Sequence, residues 1–160
     1  MREVRTIAAR YTVPTDGGRT LTGYAAVWDS PAAITDYWGT FTEVVKRGAF
    51  ARTLAAGGDV LCCLNHSADR LLGRTASGTA TFAEDATGLA FRVELADTRD
   101  GNEVLTMVRR GDLNGASFAF RCAAGGDHWT SPYDRELVDL DLYEAGPVVT
   151  PAYVAGRLGG

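Results

Sequence analysis

The segment GDLNGASFAF, residues 111–120, ends a predicted helix and begins a predicted buried strand. Gly111 is typical of a helix stop, and the small and aromatic residues after it are typical of a strand packed in a core. Ser117 interrupts this pattern, because its hydroxyl competes for backbone hydrogen bonds and makes serine a poor strand former. Within this segment alone, Ser117 is either a small filler or a functional residue.

The composition predicts one globular domain that contains all 160 residues, since 46% of them are hydrophobic and 22% are charged. A formal net charge of −4 without any basic block argues against nucleic-acid binding. No window approaches the roughly 18 apolar residues that cross a bilayer, and the N-terminus lacks the apolar core of a signal peptide. We therefore expect no membrane segment and a location in the cytoplasm.

The cysteines predict neither a disulfide framework nor a metal site. There are three, two of them adjacent at Cys62 and Cys63, which suits a reducing compartment. A zinc cluster of Cys62, Cys63, His66 and Cys122 is the alternative interpretation. Adjacent strand residues point to opposite faces, and the spacing matches no strong ligand motif, so no metal or cofactor is expected.

The hydrophobic periodicity predicts mostly strands with few helices. TATFA and LAFRVEL flank the turn EDATG and indicate a hairpin, and ARTLAAGG is a short helix candidate closed by Gly57 and Gly58. A longer helix is expected in DTRDGNEVLTMVRRGD, capped by Asp97 or Thr98. Seven or so strands favour a closed or nearly closed β-structure.

The last segment, RELVDLDLYEAGPVVTPAY, predicts a half-buried strand. Val138, Leu140 and Leu142 share one face of it. Because Pro147 and the proline at 151 cannot donate a backbone hydrogen bond to a neighbouring strand, this strand should end near Glu144.

A serine nucleophile requires a base to take its proton and a third group to orient that base. The chain contains only two histidines. His66 follows the predicted strand DVLCCLNH, where a fixed backbone can be combined with access to substrate, whereas His128 lies in a turn. His66 is therefore the better candidate for a base.

Six separated motifs carry a resemblance to a known family: LTGYAAVW, FTEVVKRGAF, LNHSADRLLGR, DATGLAFRVELADT, VRRGDLNGASFAFR and LYEAGPVVTPAY. Together they resemble the prohead maturation proteases of tailed bacteriophages, which share a fold and a serine–histidine core with herpesvirus assemblins. The resemblance covers about residues 21–153. It implies an α+β protease domain dominated by a small closed or partly closed β-barrel, with a few surrounding helices.

Carried onto this chain, the resemblance makes His66 the general base and Ser117 the nucleophile. Assemblins use a second histidine as the third member, but the only histidine after Ser117 is His128, which precedes the final strand. Glu144 stands in the closing motif, and a carboxylate there can accept the second imidazole N–H. Four other carboxylates remain as substitutes for Glu144: Asp69, Asp97, Asp139 and Asp141.

Two further roles are open at this stage. Glu43 is a candidate structural partner near Arg47, and nothing in its spacing indicates a catalytic role. The segment GPVVTPAY is the candidate source of backbone N–H donors for an oxyanion, although its prolines have no N–H to donate. The remaining candidates are residues 148–150, 152 and 153.

The resemblance implies an endopeptidase of phage head maturation that needs no cofactor. Its implied substrates are the scaffold or a scaffold-like segment of the major capsid protein, and the protease itself. It implies action inside the immature capsid in the bacterial cytoplasm, and a homodimer. The alternative is a noncatalytic β-rich module that binds capsid or scaffold, in which His66 and Ser117 are structural.

Overall fold

The computed structural model describes residues 1–150, which form twelve β-strands and two α-helices. The strands are β1 (Glu3–Ala8), β2 (Thr20–Val27), β3 (Ala32–Asp36), β4 (Gly39–Val45), β5 (Leu61–Cys63), β6 (Leu71–Arg74), β7 (Ala80–Glu84), β8 (Gly88–Glu94), β9 (Gly115–Cys122), β10 (Asp127–Ser131), β11 (Asp134–Leu137) and β12 (Leu140–Val148). The helices are α1 (Ala51–Ala55) and α2 (Arg99–Arg110). Short 3₁₀ turns cover Leu64–His66, Ala68–Arg70 and Thr75–Ser77.

The strands form three sheets, with the orders β1-β9-β12-β5-β6, β10-β11-β4-β3 and β2-β8-β7. The predominantly β character of the predicted α+β fold is confirmed, but residues 1–150 form no closed barrel. The two edge strands of the five-stranded sheet, β1 and β6, do not pair with each other or with another sheet. There are more strands than expected, because a strand as short as β6 shows no measurable alternation in the sequence, whereas β5 lies within the predicted strand DVLCCLNH.

The five-stranded sheet carries the candidate site on one face and the hydrophobic core on the other. Phe118 and Phe120 of β9 belong to the core, and so does Ala145 of β12, which pairs with Phe118. Because side chains alternate along a strand, Ser117 and Glu144 lie on the opposite face from these residues. The core thus fixes which way both polar side chains point.

The helix and hairpin predictions are confirmed. Helix α2 begins after Thr98, whose hydroxyl accepts from the Gly101 N–H at 3.2 Å, and it ends at Gly111 with φ 79°. Strands β7 and β8 pair as an antiparallel hairpin. None of the helices in the part of the chain described is long and apolar enough to cross a membrane.

Strand β12 is longer than expected. It does not end near Glu144 but continues through Pro147 to Val148, paired with β9. A bulge between Leu142 and Glu144 shifts the register. Strand β5 pairs with β12 only at Glu144. At Pro147 no residue of β5 pairs with β12, so the missing N–H of the proline breaks no hydrogen bond to β5.

An ion cluster of Glu3, Arg5, Glu43, Asp127 and Arg135 fastens β1 to the four-stranded sheet. Arg5 Nε donates to Glu43 Oε1 at 2.6 Å, and Arg135 contacts Glu3, Glu43 and Asp127. The buried Glu43 side chain is a structural partner, as suggested by the sequence, and its ion pairs are with Arg5 and Arg135 from other strands. These contacts join the N-terminal strand, which pairs with β9, to the neighbouring four-stranded sheet.

Candidate active site

Ser117 lies in the middle of the five-stranded sheet, paired with Thr6 of β1 on one side and Gly146 of β12 on the other. Its side chain is fully buried. The hydroxyl donates to the carbonyl oxygen of Arg5 at 2.8 Å and lies 3.1 Å from Oγ1 of Thr6. In this resting arrangement, the proton of Ser117 is directed toward β1.

His66 lies on the 3₁₀ turn that follows β5, as the sequence predicted for a strand end. The turn is closed by the Ser67 N–H, which donates to Leu64 O at 3.2 Å. Both Asn65 (φ 53°) and His66 (φ 61°) have the left-handed backbone conformation that is uncommon for residues with a side chain. The imidazole is about one-third exposed, so it borders solvent while its backbone is held.

Glu144 is the partner of the His66 imidazole. The distance from Nδ1 of His66 to Oε1 of Glu144 is 2.8 Å. The carboxylate side chain is only 9% exposed, compared with 33% for the histidine. A buried carboxylate that accepts the Nδ1 proton leaves the Nε2 lone pair free to act as a base.

Gly146 lies between the serine strand and the histidine turn. It pairs directly with Ser117, and a Cβ atom added to it would lie 2.4 Å from the carbonyl oxygen of Cys63. The absent side chain therefore lets the chain that leads into His66 pack against β12. No hydrogen bond joins Ser117 to His66 within residues 1–150; the two belong to segments separated by β12 alone.

The alternative third members lie in other surroundings. His128 is on β10, in a different sheet, with its side chain 72% exposed and 3.8 Å from Glu136. Asp139 and Asp141 both pair with Arg52. Of all the carboxylates in the described residues, Glu144 is the one that contacts the His66 ring.

The last two aspartates are also occupied or exposed. Asp97 accepts from the side-chain amide of Asn102 at 3.0 Å, and Asp69 is exposed on the turn after His66. Neither contacts the imidazole, so the structure brings together only one of the proposed acid–histidine pairs.

Two candidate oxyanion donors are already engaged. The Val149 N–H donates to Oδ1 of Asn65 at 2.8 Å, and the Thr150 N–H donates to Oδ1 of Asn114 at 2.9 Å. Val148 lies within β12, opposite Gly115. The candidates at 152 and 153 lie outside the described residues.

The cysteines near the site are neutral at physiological pH. Burial, followed by the negative charge of Glu144, raises the pKa of Cys63 to about 12, and burial also raises the pKa of Cys62. A thiol that keeps its proton is neither a good nucleophile nor a good metal ligand. Among residues 1–150 no three histidine, cysteine, aspartate or glutamate side chains are grouped so that they could hold a metal ion.

Comparison with known proteins identifies the family. The sequence model described as caudovirus prohead serine protease matches residues 6–158. The chain belongs to this family of serine proteases. Comparison with curated protein sequences gave no significant match.

A solved structure that shares the fold of this prohead protease comes from a bacteriophage. It is the bacteriophage T4 capsid assembly protease, gp21, with a TM-score of 0.59 and 10% sequence identity. The similarity covers 94% of this chain and 98% of that chain. At this low identity, the likeness concerns the fold.

Sequence analysis missed three residues around the site of the prohead protease. Thr6 contacts the Ser117 hydroxyl, Gly146 permits the approach of Cys63, and Asn65 binds the backbone of Val149. Gly146 lies beyond the strand end predicted near Glu144, so the rule that a glycine inside a strand marks a close backbone approach did not single it out. No local pattern marks Thr6, because its contact depends on pairing between distant strands.

Proposed function

We propose that this prohead protease is an endopeptidase with a catalytic triad of Ser117, His66 and Glu144. The observation that carries the proposal is the 2.8 Å contact between Nδ1 of His66 and Oε1 of Glu144, on the sheet face to which Ser117 points. A serine, an imidazole and a buried carboxylate are the groups that acyl transfer needs.

The reaction begins with the hydroxyl of Ser117. The hydroxyl gives up its hydrogen bond to the carbonyl of Arg5, and its proton passes from Oγ to Nε2 of His66. At the same time Oγ forms a bond with the scissile carbonyl carbon. Glu144 stabilises the imidazolium by accepting the Nδ1–H. The imidazolium then protonates the leaving amine, and the C–N bond breaks to give an acyl-enzyme.

Water completes the cycle at the same carbonyl carbon. His66 takes a proton from the water, whose oxygen bonds to the acyl carbon, and the tetrahedral species collapses as Oγ of Ser117 leaves. The proton on His66 then passes to Oγ of Ser117. The products are a carboxylic acid, an amine and the regenerated hydroxyl.

The substrates proposed for this site are capsid proteins of the immature phage head. Scaffold, or a scaffold-like segment of the major capsid protein, would be cut inside the prohead in the bacterial cytoplasm, and the protease would cut itself. The family supports action in head maturation. A homodimer is part of the proposal, and sedimentation of the purified chain at several concentrations tests it.

A fluorophosphonate probe and coexpression with the capsid protein together test the triad. The probe should label Ser117 covalently, and mass mapping should show capsid fragments that are absent with Ser117→Ala. His66→Ala should reduce labelling strongly, and adding it to Ser117→Ala should cause no further loss of cleavage. A folded chain whose Ser117 stays unlabelled, with unaltered capsid cleavage by Ser117→Ala, would overturn the assignment.

A further inference from the structure

The backbone at the proposed general base is held in an uncommon conformation. Asn65 and His66 follow each other with φ values of 53° and 61°. A Cβ atom crowds the following carbonyl in this left-handed region, and asparagine tolerates it better than most residues. Residues with side chains visit this region singly as a rule, so two in succession indicate that contacts with neighbouring segments hold the turn.

The side chain of Asn65 provides such an anchor. Its Oδ1 accepts from the Val149 N–H at 2.8 Å, which binds the 3₁₀ turn to the residue directly after β12. Glu144, the partner of the His66 ring, lies on β12 itself. The turn is therefore tied to this strand twice, by the side chain of Asn65 and by the ring of His66.

We propose that Asn65 is a positioning residue for His66 in peptide hydrolysis. Its carboxamide fixes the left-handed turn on β12, and this holds Nδ1 of His66 against Glu144 and leaves Nε2 free to act as the base. The inference rests on the proposed role of His66 as general base. Asn65 itself touches no reacting atom; it acts through the backbone of His66.

Asn114 offers a matched control. Its Oδ1 accepts from the Thr150 N–H at 2.9 Å, and its Nδ2 donates to Thr150 O at 3.3 Å. Asn114 thus binds the backbone of Thr150 as Asn65 binds that of Val149. Unlike Asn65, it has no left-handed backbone conformation and is not adjacent to His66 in the sequence. Loss of Asn114 loosens the end of β12 without releasing the turn.

Three substitutions at Asn65 separate backbone conformation from hydrogen bonding. Asn65→Asp keeps the acceptor and tolerates the left-handed region; Asn65→Gly keeps only the backbone freedom; Asn65→Ala loses both. Each is compared with Asn114→Ala. Circular dichroism and thermal unfolding establish that each variant is folded.

The first measurement is the rate of fluorophosphonate labelling of Ser117 as a function of pH. Labelling by Asn65→Ala should fall between about 10-fold and 100-fold, as expected when a catalytic group is misplaced by about 1 Å. Asn65→Gly should show a smaller loss. Asn65→Asp should recover most of the labelling rate. The increase of that rate with pH should occur at higher pH than in the wild type, because the added negative charge favours the protonated imidazole.

The second measurement is independent of catalysis. Nitrogen-15 NMR of His66 reports whether Nδ1 carries a hydrogen-bonded proton, and this signature should weaken in Asn65→Ala but persist in Asn65→Asp and Asn114→Ala. Wild-type labelling and tautomer preserved in Asn65→Ala would overturn the inference, and so would equal losses in Asn114→Ala. If wild-type protein reacts with no probe, the proposed function fails, while the NMR comparison still decides whether Asn65 positions the ring.

Discussion

Nδ1 of His66 and Oε1 of Glu144 lie 2.8 Å apart although 78 positions separate the two residues in the sequence. The carboxylate is nearly buried and the imidazole borders solvent. This pairing orients the ring through Nδ1, and it leaves Nε2 available to accept a proton. The chemistry expected of a general base therefore depends on the integrity of this one contact.

Replacement of Glu144 by glutamine should slow acylation far more than it affects folding. The amide keeps the approximate volume but removes the charge that stabilises the imidazolium, so the rate could fall by up to about 10⁴-fold. Fluorophosphonate labelling measures the rate, and thermal unfolding checks the fold. Asp139→Asn and His128→Ala are the controls; a severe loss in His128→Ala alone would show that the third member is a histidine.

Ser117→Ala should abolish labelling and capsid cleavage while the sheet stays intact. Alanine fills similar space, but it has no hydroxyl to form an acyl-enzyme. It also releases the carbonyl of Arg5 from the 2.8 Å hydrogen bond, which should cost on the order of 1 kcal/mol of unfolding free energy. Chemical denaturation measures this cost. Cleavage at the wild-type rate by the folded variant would exclude Ser117 as the nucleophile.

Gly146→Ala should damage both stability and catalysis. The new Cβ would meet the carbonyl oxygen of Cys63 at 2.4 Å, a backbone atom that cannot move without shifting the chain into His66. Overpacking of this kind typically costs about 1–3 kcal/mol of unfolding free energy. Gly58→Ala is the matched control, because nothing lies within 4 Å of a Cβ there. Equal unfolding midpoints for the two variants would contradict the packing argument.

The ion cluster should make the contribution of Glu3 to stability dependent on pH. Burial acts to raise the pKa of Glu3, but the hydrogen bonds and charges of Arg135 and Arg5 outweigh it and hold this pKa below the ordinary value of 4.5. The stabilisation is therefore present above the pKa of the unfolded chain and is lost as the pH falls toward the folded-state pKa.

The substitution Glu3→Gln measures that contribution. The difference in unfolding free energy between the wild type and Glu3→Gln should be largest near neutral pH and should shrink in acid. Asp69→Asn, at an exposed carboxylate outside the ion cluster, is the control. Denaturant titrations across this pH range compare the three proteins. A difference that is constant with pH would show that Glu3 contributes by packing rather than by charge.

Cys63 should not react with iodoacetamide in the native protein near neutral pH. Burial and the neighbouring carboxylate of Glu144 raise its pKa to about 12, so almost no thiolate is present. Peptide mapping after alkylation identifies the modified positions, and the denatured chain serves as the positive control. Rapid native alkylation at Cys63, with loss of fluorophosphonate labelling, would indicate an activated thiol beside His66.

Local sequence patterns determined several elements of this protein. Thr98 and Gly111 marked the ends of α2, and the alternation around EDATG marked the β7–β8 hairpin, because caps and period-2 burial depend on neighbours within a few residues. The candidate base and nucleophile were also recognised from the sequence, by resemblance of the motifs around His66 and Ser117 to those of a known family.

Only the tertiary structure decided how these motifs meet. The extension of β12 past Glu144, the direction of the Ser117 hydroxyl toward Arg5 and the contact of Asn65 with Val149 all join segments far apart in the chain. Each depends on the register between distant strands, and this register is set by packing of the whole core rather than by local propensity. For the same reason, the sequence alone left six acidic or histidine partners open for His66, whereas the folded chain places the carboxylate of Glu144 against its ring.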